Sequence, residues 1–389
     1  MTDRIVVFDG SRKDFEAMIK AEISEDDVTI PFMELIQHYN ARIRPSESGV
    51  KESALYNNIE VDNCIVRSDD YASVLEHALS NFVNIVTLNH DIGTLYVQNP
   101  PRRVRQSLQA AYGDEIEYRQ SNYPSISRKI LKDVFTNLEA DIQGQEDCKK
   151  QLISGIYRLT TESKQKPVVL MLYGPSGVGK TESAKSISKT LGGSLLRVQF
   201  SMMQTNEAYN YVFGSEHSKS SFAKDMLSRE SNVILIDEFD KVNPTFYNAF
   251  YELFDEGKYV DTNYEVNLGQ AIFLCTCNFN NEQEIKQVLG PAMFSRIGCC
   301  IEYSELSTEQ KKTIIGKWYE EVVSSLQDDE QDIIRSTDIL DWFQDNAERY
   351  DNIRILKTKL ENAVFDRLAE AFIISDREKI ISEGFADIS

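Results

Sequence analysis

The sequence predicts an α/β protein: a three-layer domain around a parallel five-stranded sheet, with a separate mixed α/β unit before it and a helical module after it. Three observations predict this. The glycine-rich stretch Gly174-Pro175-Ser176-Gly177-Val178-Gly179-Lys180-Thr181 follows the apolar run 168–172 and opens a helical stretch to Leu191. A second unbroken apolar run, 233–236, ends in Asp237-Glu238. Further strand-like runs at 194–200, 271–277 and 299–303 alternate with helical segments, the pattern of a parallel sheet joined by crossover helices.

Each element has a physical reason. Residues 168–172 are apolar throughout, as a strand covered on both faces requires. Ala184, Ile187 and Leu191 form one stripe of the helix that follows, and Gly192-Gly193 stops it. The stretch between fits G-x-x-x-x-G-K-[ST] at every fixed position. Its glycines let backbone N–H groups turn inward onto phosphate oxygens, at the positive end of a helix. Lys180 is placed to reach the β- and γ-phosphates of ATP, and the Thr181 hydroxyl to ligate Mg²⁺. Apolar residues drive 233–236 into the sheet, so the acids emerge at its carboxyl end, where ligands bind in open α/β sheets. There Asp237 is expected to hold Mg²⁺ through water and Glu238 to polarise the attacking water. Asn278 closes the run 271–277 within reach of that water or the γ-phosphate.

Residues 1–120 read as their own unit. Strands are expected at 4–8, 84–88 and 94–97, with helices at 13–21, 71–83 and from Pro100-Pro101 to about Tyr112, and 115–118 returning as a strand. His90-Asp91-Ile92-Gly93 reads as a turn between two strands. Residues 119–127 are polar and carry Pro124, a linker pattern. Helices are expected from about Ser127 to Leu138 and from Glu146 to about Thr161, and 222–227 is helical too. Asn243-Pro244 starts another over 245–255, 257–267 reads as a hairpin, and a short helix over 291–297 carries Arg296. Helices at 308–326, 337–345 and 353–372 complete the chain, with 329–332 as an acidic loop between the first two. Arg354 at a helix start opposes the helix dipole, which points to a compensating anion such as a phosphate.

The chain has 389 residues, with 41% hydrophobic and 27% charged, which is ordinary for a soluble globular protein. No apolar run approaches the ~18 residues that span a membrane. Asp3, Arg4 and Asp9 come too soon for a signal peptide, so a cytoplasmic location is the expectation. The net charge of −20 disfavours non-specific nucleic-acid binding, which needs Lys and Arg to neutralise phosphates. None of the six cysteines forms a C-x-x-C pair, so buried reduced thiols are expected.

The order of these parts resembles the AAA+ ATPases, and within them the Clp/heat-shock unfoldase clade, over residues 128–375. The Ile142-Gln143-Gly144-Gln145 run looks like that clade's base-contacting segment, which implicates Ile142 and Gln143. Residues 233–241 look like its Asp-Glu motif, and Thr276-Cys277-Asn278 like its sensor-1 segment. Phe294-Ser295-Arg296-Ile297 resembles its arginine-finger box, and 352–357 its sensor-2 motif. The resemblance implies that Arg296 acts in trans on ATP held by a neighbouring subunit and Arg354 in cis. It implies a homo-oligomeric ring, a hexamer on the family pattern. The chain is expected to divide into 1–120, a mixed α/β unit for partner binding, 121–304, the nucleotide-binding domain, and 305–389, the helical lid. Tyr211-Val212-Phe213-Gly214 stands either for the clade's threading loop or for the apolar turn before it. Sensor 2 departs from the family pattern in having Asn352-Ile353 before its arginine.

Three functions follow as expectations. The first is an ATP-driven ring that remodels a protein partner recruited by residues 1–120. The second is an ATP-dependent switch or scaffold that controls an effector without threading. The third is a DNA-acting ATPase, which no basic stripe supports.

Overall fold

The computed structural model describes residues 2–43, 59–87, 90–161, 166–200 and 206–386. Its strands are β1 (Arg4–Asp9), β2 (Thr29–Pro31), β3 (Ile59–Val66), β4 (His90–Gln98), β5 (Ile116–Gln120), β6 (Val168–Tyr173), β7 (Leu196–Gln199), β8 (Val233–Asp237), β9 (Lys258–Val260), β10 (Glu265–Asn267), β11 (Ile272–Thr276) and β12 (Cys299–Glu302).

β6, β8 and β11 are wholly buried, because every side chain in them except the terminal Tyr173, Asp237 and Thr276 is apolar or thiol and both faces are covered. Their sheet runs β12-β6-β11-β8-β7 with all pairs parallel. One face packs on Leu131, Val134, Leu138, Leu152 and Ile187. The other packs on an aromatic layer of Phe200, Phe222, Phe239, Phe250 and Phe254. Because the strands are parallel, Tyr173, Gln199, Asp237 and Thr276 all lie at one edge of this sheet. That edge carries the candidate site.

The N-terminal sheet, β2-β3-β4-β1-β5, is also parallel throughout, so its helices and strands form a second doubly covered layer. Three expectations are corrected here. Residues 84–87 are helical, within Phe82–Thr87, because Phe82, Ile85 and Val86 bury one helical face; Leu88 lies outside the described residues. The expected helix over 71–83 is broken into a turn of 3₁₀ helix, Asp70–Ser73, and the short helix Glu76–Ser80, before Phe82–Thr87 begins. His90 and Asp91 are not a turn but the start of β4, paired with Ile59 and Glu60.

Residues 328–335 are a helix rather than an acidic loop. Gln327 and Glu330 form a reciprocal cap, and three acids in the first turn favour the helix dipole. This helix packs with Thr308–Ser324, Ile339–Asp345 and the long Ile353–Ala386 around Ile315, Tyr319, Phe343, Leu356 and Leu360. The six cysteines are all free; Cys64, Cys148, Cys275 and Cys277 are buried as expected, whereas Cys299 and Cys300, on the edge strand β12, are only partly buried.

The N-terminal unit meets the second sheet's domain at a polar seam. The Arg102 N–H donates to the Asn263 carbonyl at 2.7 Å, at the tip of the β9–β10 hairpin. A His217 ring nitrogen lies 2.8 Å from the Val74 carbonyl. Where the linker enters the second domain, Arg229 lies over the Tyr123 ring at 4.3 Å, and the Tyr123 hydroxyl donates to the Arg229 carbonyl. Ser68, Tyr71, Ser215, Asp261 and Tyr264 each keep a buried oxygen without a hydrogen-bond partner here. An unpaired buried hydroxyl costs about 1–3 kcal/mol. Tyr71→Phe is therefore expected to stabilise the chain by about 1 kcal/mol, seen as a rise in melting temperature. A fall in melting temperature would show that the hydroxyl has a partner.

Candidate functional site

An open cleft of about 1280 Å³ lies at the carboxyl edge of the second sheet. Its floor is the segment from Ser176 to Thr181, its walls come from Ile142 and Gln143 and from Asp237, Glu238 and Asn278, and the C-terminal helices cover it with Trp318, Ile353 and Arg354.

The glycine loop has the geometry of an anion cradle. Gly174, Gly177 and Gly179 have φ of +123°, +85° and +106°, in the region open to glycine. A methyl group at Gly177 would stand 2.7 Å from Ile353 Cγ2, and one at Gly174 2.1 Å from the Tyr303 carbonyl oxygen. The loop therefore needs glycine for space as well as for torsion. It opens directly into the helix Lys180–Leu191. Lys180 is 8% exposed, and its Nζ donates to the Gly174 and Pro175 carbonyls and to Asn278 Oδ1, at 2.5, 2.9 and 3.1 Å. Burial pushes its pKa below the usual lysine value, against the pull of Cys277 and Asp237.

Strand pairing fixes the acids. Gln199 is in register with Asp237, and Cys275 with Ile236, so the ends of β7, β8 and β11 converge. The buried Asp237 accepts from Arg197 Nε at 3.0 Å and Nη2 at 2.5 Å through Oδ2, and from the Thr276 hydroxyl through Oδ1. Glu238 follows with φ +56°, a left-handed conformation that costs a non-glycine residue about 1 kcal/mol. Its N–H is held by Thr276 Oγ1 at 3.0 Å, and its carboxylate accepts from the Gln199 amide at 3.3 Å. Thr276 thus links both acids. Thr276→Val is expected to lower turnover of a bound nucleotide more than it lowers its affinity, with Thr276→Ser restoring most of the loss. Equal kinetics for Val and Ser would remove this linking role.

Of the residues expected from the sequence, Ile142, Gln143, Ser176, Gly177, Val178, Gly179, Lys180, Thr181, Asp237, Glu238, Asn278 and Arg354 all line this cleft. Pro175 does not line it but gives its carbonyl to Lys180. Arg354 stands at the start of its helix, with Asn352 Oδ1 accepting from the Arg354 N–H at 2.9 Å. Arg296 lies outside the cleft. It pairs with Asp255 and stacks on Tyr251. Arg197, Gln199 and Thr276 were not anticipated. Thr276 stood in the sensor-1 segment without a role, and the parts of Arg197 and Gln199 follow from the pairing of β7 with β8.

The residue set fits a nucleoside triphosphate and a hard cation. A helix-opening cradle with a buried ammonium suits phosphate, and Thr181 and Asp237 bring hydroxyl and carboxylate oxygens to one cleft, the donors Mg²⁺ prefers.

Fold and cleft together define a phosphate-loop nucleotide-binding α/β domain with a helical cover. Residues 165–328 match the family model of the AAA domain (Cdc48 subfamily). The chain is 23% identical over 281 residues to the chaperone protein ClpB of Malacoplasma penetrans, covering 65% of this chain and 40% of that protein. It is 25% identical over 271 residues to the ATP-dependent Clp protease ATP-binding subunit ClpL of Staphylococcus aureus, covering 62% and 38%. The chain thus spans about two-fifths of the length of these relatives. A cryo-electron microscopy reconstruction of Hsp104 with ATPγS and casein shares its fold, with TM-score 0.53 and 13% identity over 95% of this chain and 88% of that one. Residues 165–328 thus match an AAA domain, and the chain is similar to Clp and Hsp100 proteins across it. Among the described residues, no helix is long and apolar enough to cross a membrane.

Proposed function

We propose that the chain binds ATP with Mg²⁺ in this cleft, hydrolyses it within a homo-oligomeric ring, and uses the cycle to remodel a protein partner recruited by residues 1–120. Residues 121–304 carry the nucleotide and 305–389 form the lid. The carrying observation is the split between the cleft and Arg296. Phosphate loop, Asp237-Glu238, Asn278 and Arg354 share one cleft, while Arg296 is not among the residues that line it and pairs with Asp255. A site so divided is completed by a second copy of the chain, and head-to-tail copies close into rings, a hexamer on the Clp pattern.

In this reading the loop N–H groups and Lys180 hold the β- and γ-phosphates. Thr181 and Asp237 would hold Mg²⁺, which would offset charge on the phosphate oxygens. Glu238 takes a proton from the attacking water, Asn278 orients that water, and Arg296 of a neighbour meets the charge that develops in the transition state. Arg354 couples the phosphates to the lid. The acidic chain and the absence of a membrane span in the described residues favour a cytoplasmic protein partner.

A second reading, an ATP-dependent switch without threading, has a specific observation in its favour. Tyr211, Val212 and Phe213 are not on a loop but on the helix Asn206–Phe213. The Tyr211 hydroxyl donates to Asp225 at 2.6 Å, Val212 is buried, and Phe213 packs edge-on to Phe246. The short segment after them contacts the N-terminal unit through His217. Tyr211→Ala is accordingly expected to destabilise the fold by about 3 kcal/mol, read as a lower denaturant midpoint, rather than to block substrate passage alone. Unfolding of a captured, fluorescently labelled partner in step with ATP turnover supports the remodeller. Partner capture and release with ATP and no unfolding supports the switch.

A further inference from the structure

Arg296 is seated in a way that its proposed role does not by itself require. Tyr251 and Asp255 lie four residues apart on the helix Tyr247–Glu256, hence on one face of it. Asp255 Oδ2 accepts from Arg296 Nε at 2.9 Å and lies 2.8 Å from Nη2, so one carboxylate oxygen holds one side of the guanidinium. Nη1 donates to the Ala292 carbonyl at 2.6 Å. The guanidinium carbon lies over the Tyr251 ring, 4.3 Å from its centroid. The backbone beneath is fixed as well: Gly290 at φ +74° and Pro291 start a new helical turn, and the Arg296 N–H returns to the Met293 carbonyl at 3.0 Å.

A guanidinium has five N–H groups. Among the described residues Nε and Nη1 each donate one hydrogen bond in this seat and Nη2 lies in ion-pair contact with Asp255, which leaves N–H groups on both Nη1 and Nη2 without a hydrogen-bond partner there. Two free N–H groups on neighbouring nitrogens can grip two oxygens of one phosphoryl group. The charge stays available too, because the Asp255 side chain is 44% exposed and its attraction for the guanidinium is screened by water.

We propose that Asp255 and Tyr251 are positioning residues for Arg296: they hold its guanidinium edge-on and flat, so that its free N–H pair is presented to ATP bound on the neighbouring copy before that copy arrives. The gain lies in orientation. An arginine side chain free at a surface spends most of its time in other rotamers, and fixing it beforehand removes that cost from the transition state. The inference rests on the trans role of Arg296 proposed above, and its test separates the two.

The test compares steady-state ATP turnover of the full chain with Asp255→Asn, Asp255→Glu, Arg296→Ala and the Asp255→Asn/Arg296→Ala pair, alongside melting temperature. Asp255→Asn keeps the size of the side chain but loses the charge-assisted grip, and its half-exposed place leaves the core untouched. The expected result is a fall in kcat of about tenfold with little change in KM for ATP and an unchanged melting temperature. Asp255→Glu is expected to recover part of the loss. In the double variant the Asp255→Asn effect disappears, since there is no guanidinium left to orient. If Asp255→Asn keeps the parent kcat, or lowers it equally with and without Arg296, the positioning role is wrong while the trans role stands. If Arg296→Ala itself turns over ATP normally, both fall together.

Discussion

Glu238→Gln is expected to leave ATP affinity within a few-fold of the parent and to lower turnover by about 10²–10⁴, the range that general-base catalysis contributes. The geometry argues for so clean a separation. Glu238 is not among the groups that cradle phosphate; it stands at the carboxyl end of β8, behind Asp237. Its left-handed backbone is held by the bond from its N–H to Thr276 Oγ1, which glutamine keeps, so the substitution removes the basic carboxylate and little else. Gln199 donates to the carboxylate at 3.3 Å, and an amide oxygen accepts that bond equally well. With ATP bound and unhydrolysed, the ring should accumulate. Phosphate release, nucleotide affinity and light scattering together check the prediction. A Glu238→Gln protein with normal phosphate release would end the hydrolytic reading, and one with no ATP affinity would show that the site had been damaged rather than disarmed.

The central sheet was the most legible part of this chain, for a simple reason. Its strands are buried on both faces, so residues 168–172 and 233–236 are apolar at every position and stand out without any need for periodicity. The phosphate loop was equally plain, because Gly174 and Gly177 have no room for a methyl group and all three of Gly174, Gly177 and Gly179 take a torsion that favours glycine. The N-terminal sheet was harder. Phe82–Thr87 is β-branched and apolar, and its local propensity for strand is overridden by packing on the face of β4 and the helix Arg102–Tyr112. The 328–335 helix was hidden by its acids, which read as a solvated loop until their place in the first turn is known. In the candidate site, the residues of fixed motifs gathered as expected, whereas Arg197, Gln199 and Thr276 depend on which strands are neighbours. Strand order is a long-range fact. Nothing local in Leu196–Gln199 says that β7 lies beside β8, and the Arg197–Asp237 pair follows only from that.

Arg296→Ala is expected to lower turnover by about 10³ while ATP binding to the same chain persists, and the loss should be repairable by a different broken chain. The structure supplies the logic. Lys180 lies inside the cleft and Arg296 outside it; on the proposed trans role, an active site takes Lys180 from one copy and Arg296 from another. A Lys180→Ala chain has a dead cleft and an intact arginine; an Arg296→Ala chain has the reverse. Each alone should be inactive. Mixed in equal amounts and allowed to exchange, they should form active junctions wherever the first chain presents its Arg296 to the cleft of the second. Random assembly of a closed ring places that pairing at about a quarter of the junctions, whatever the number of subunits. The recovered turnover should therefore approach about a quarter of the parent value, and should depend on the mixing ratio with a maximum at equal amounts. An arginine acting in cis predicts no recovery at any ratio, because neither chain carries a complete set.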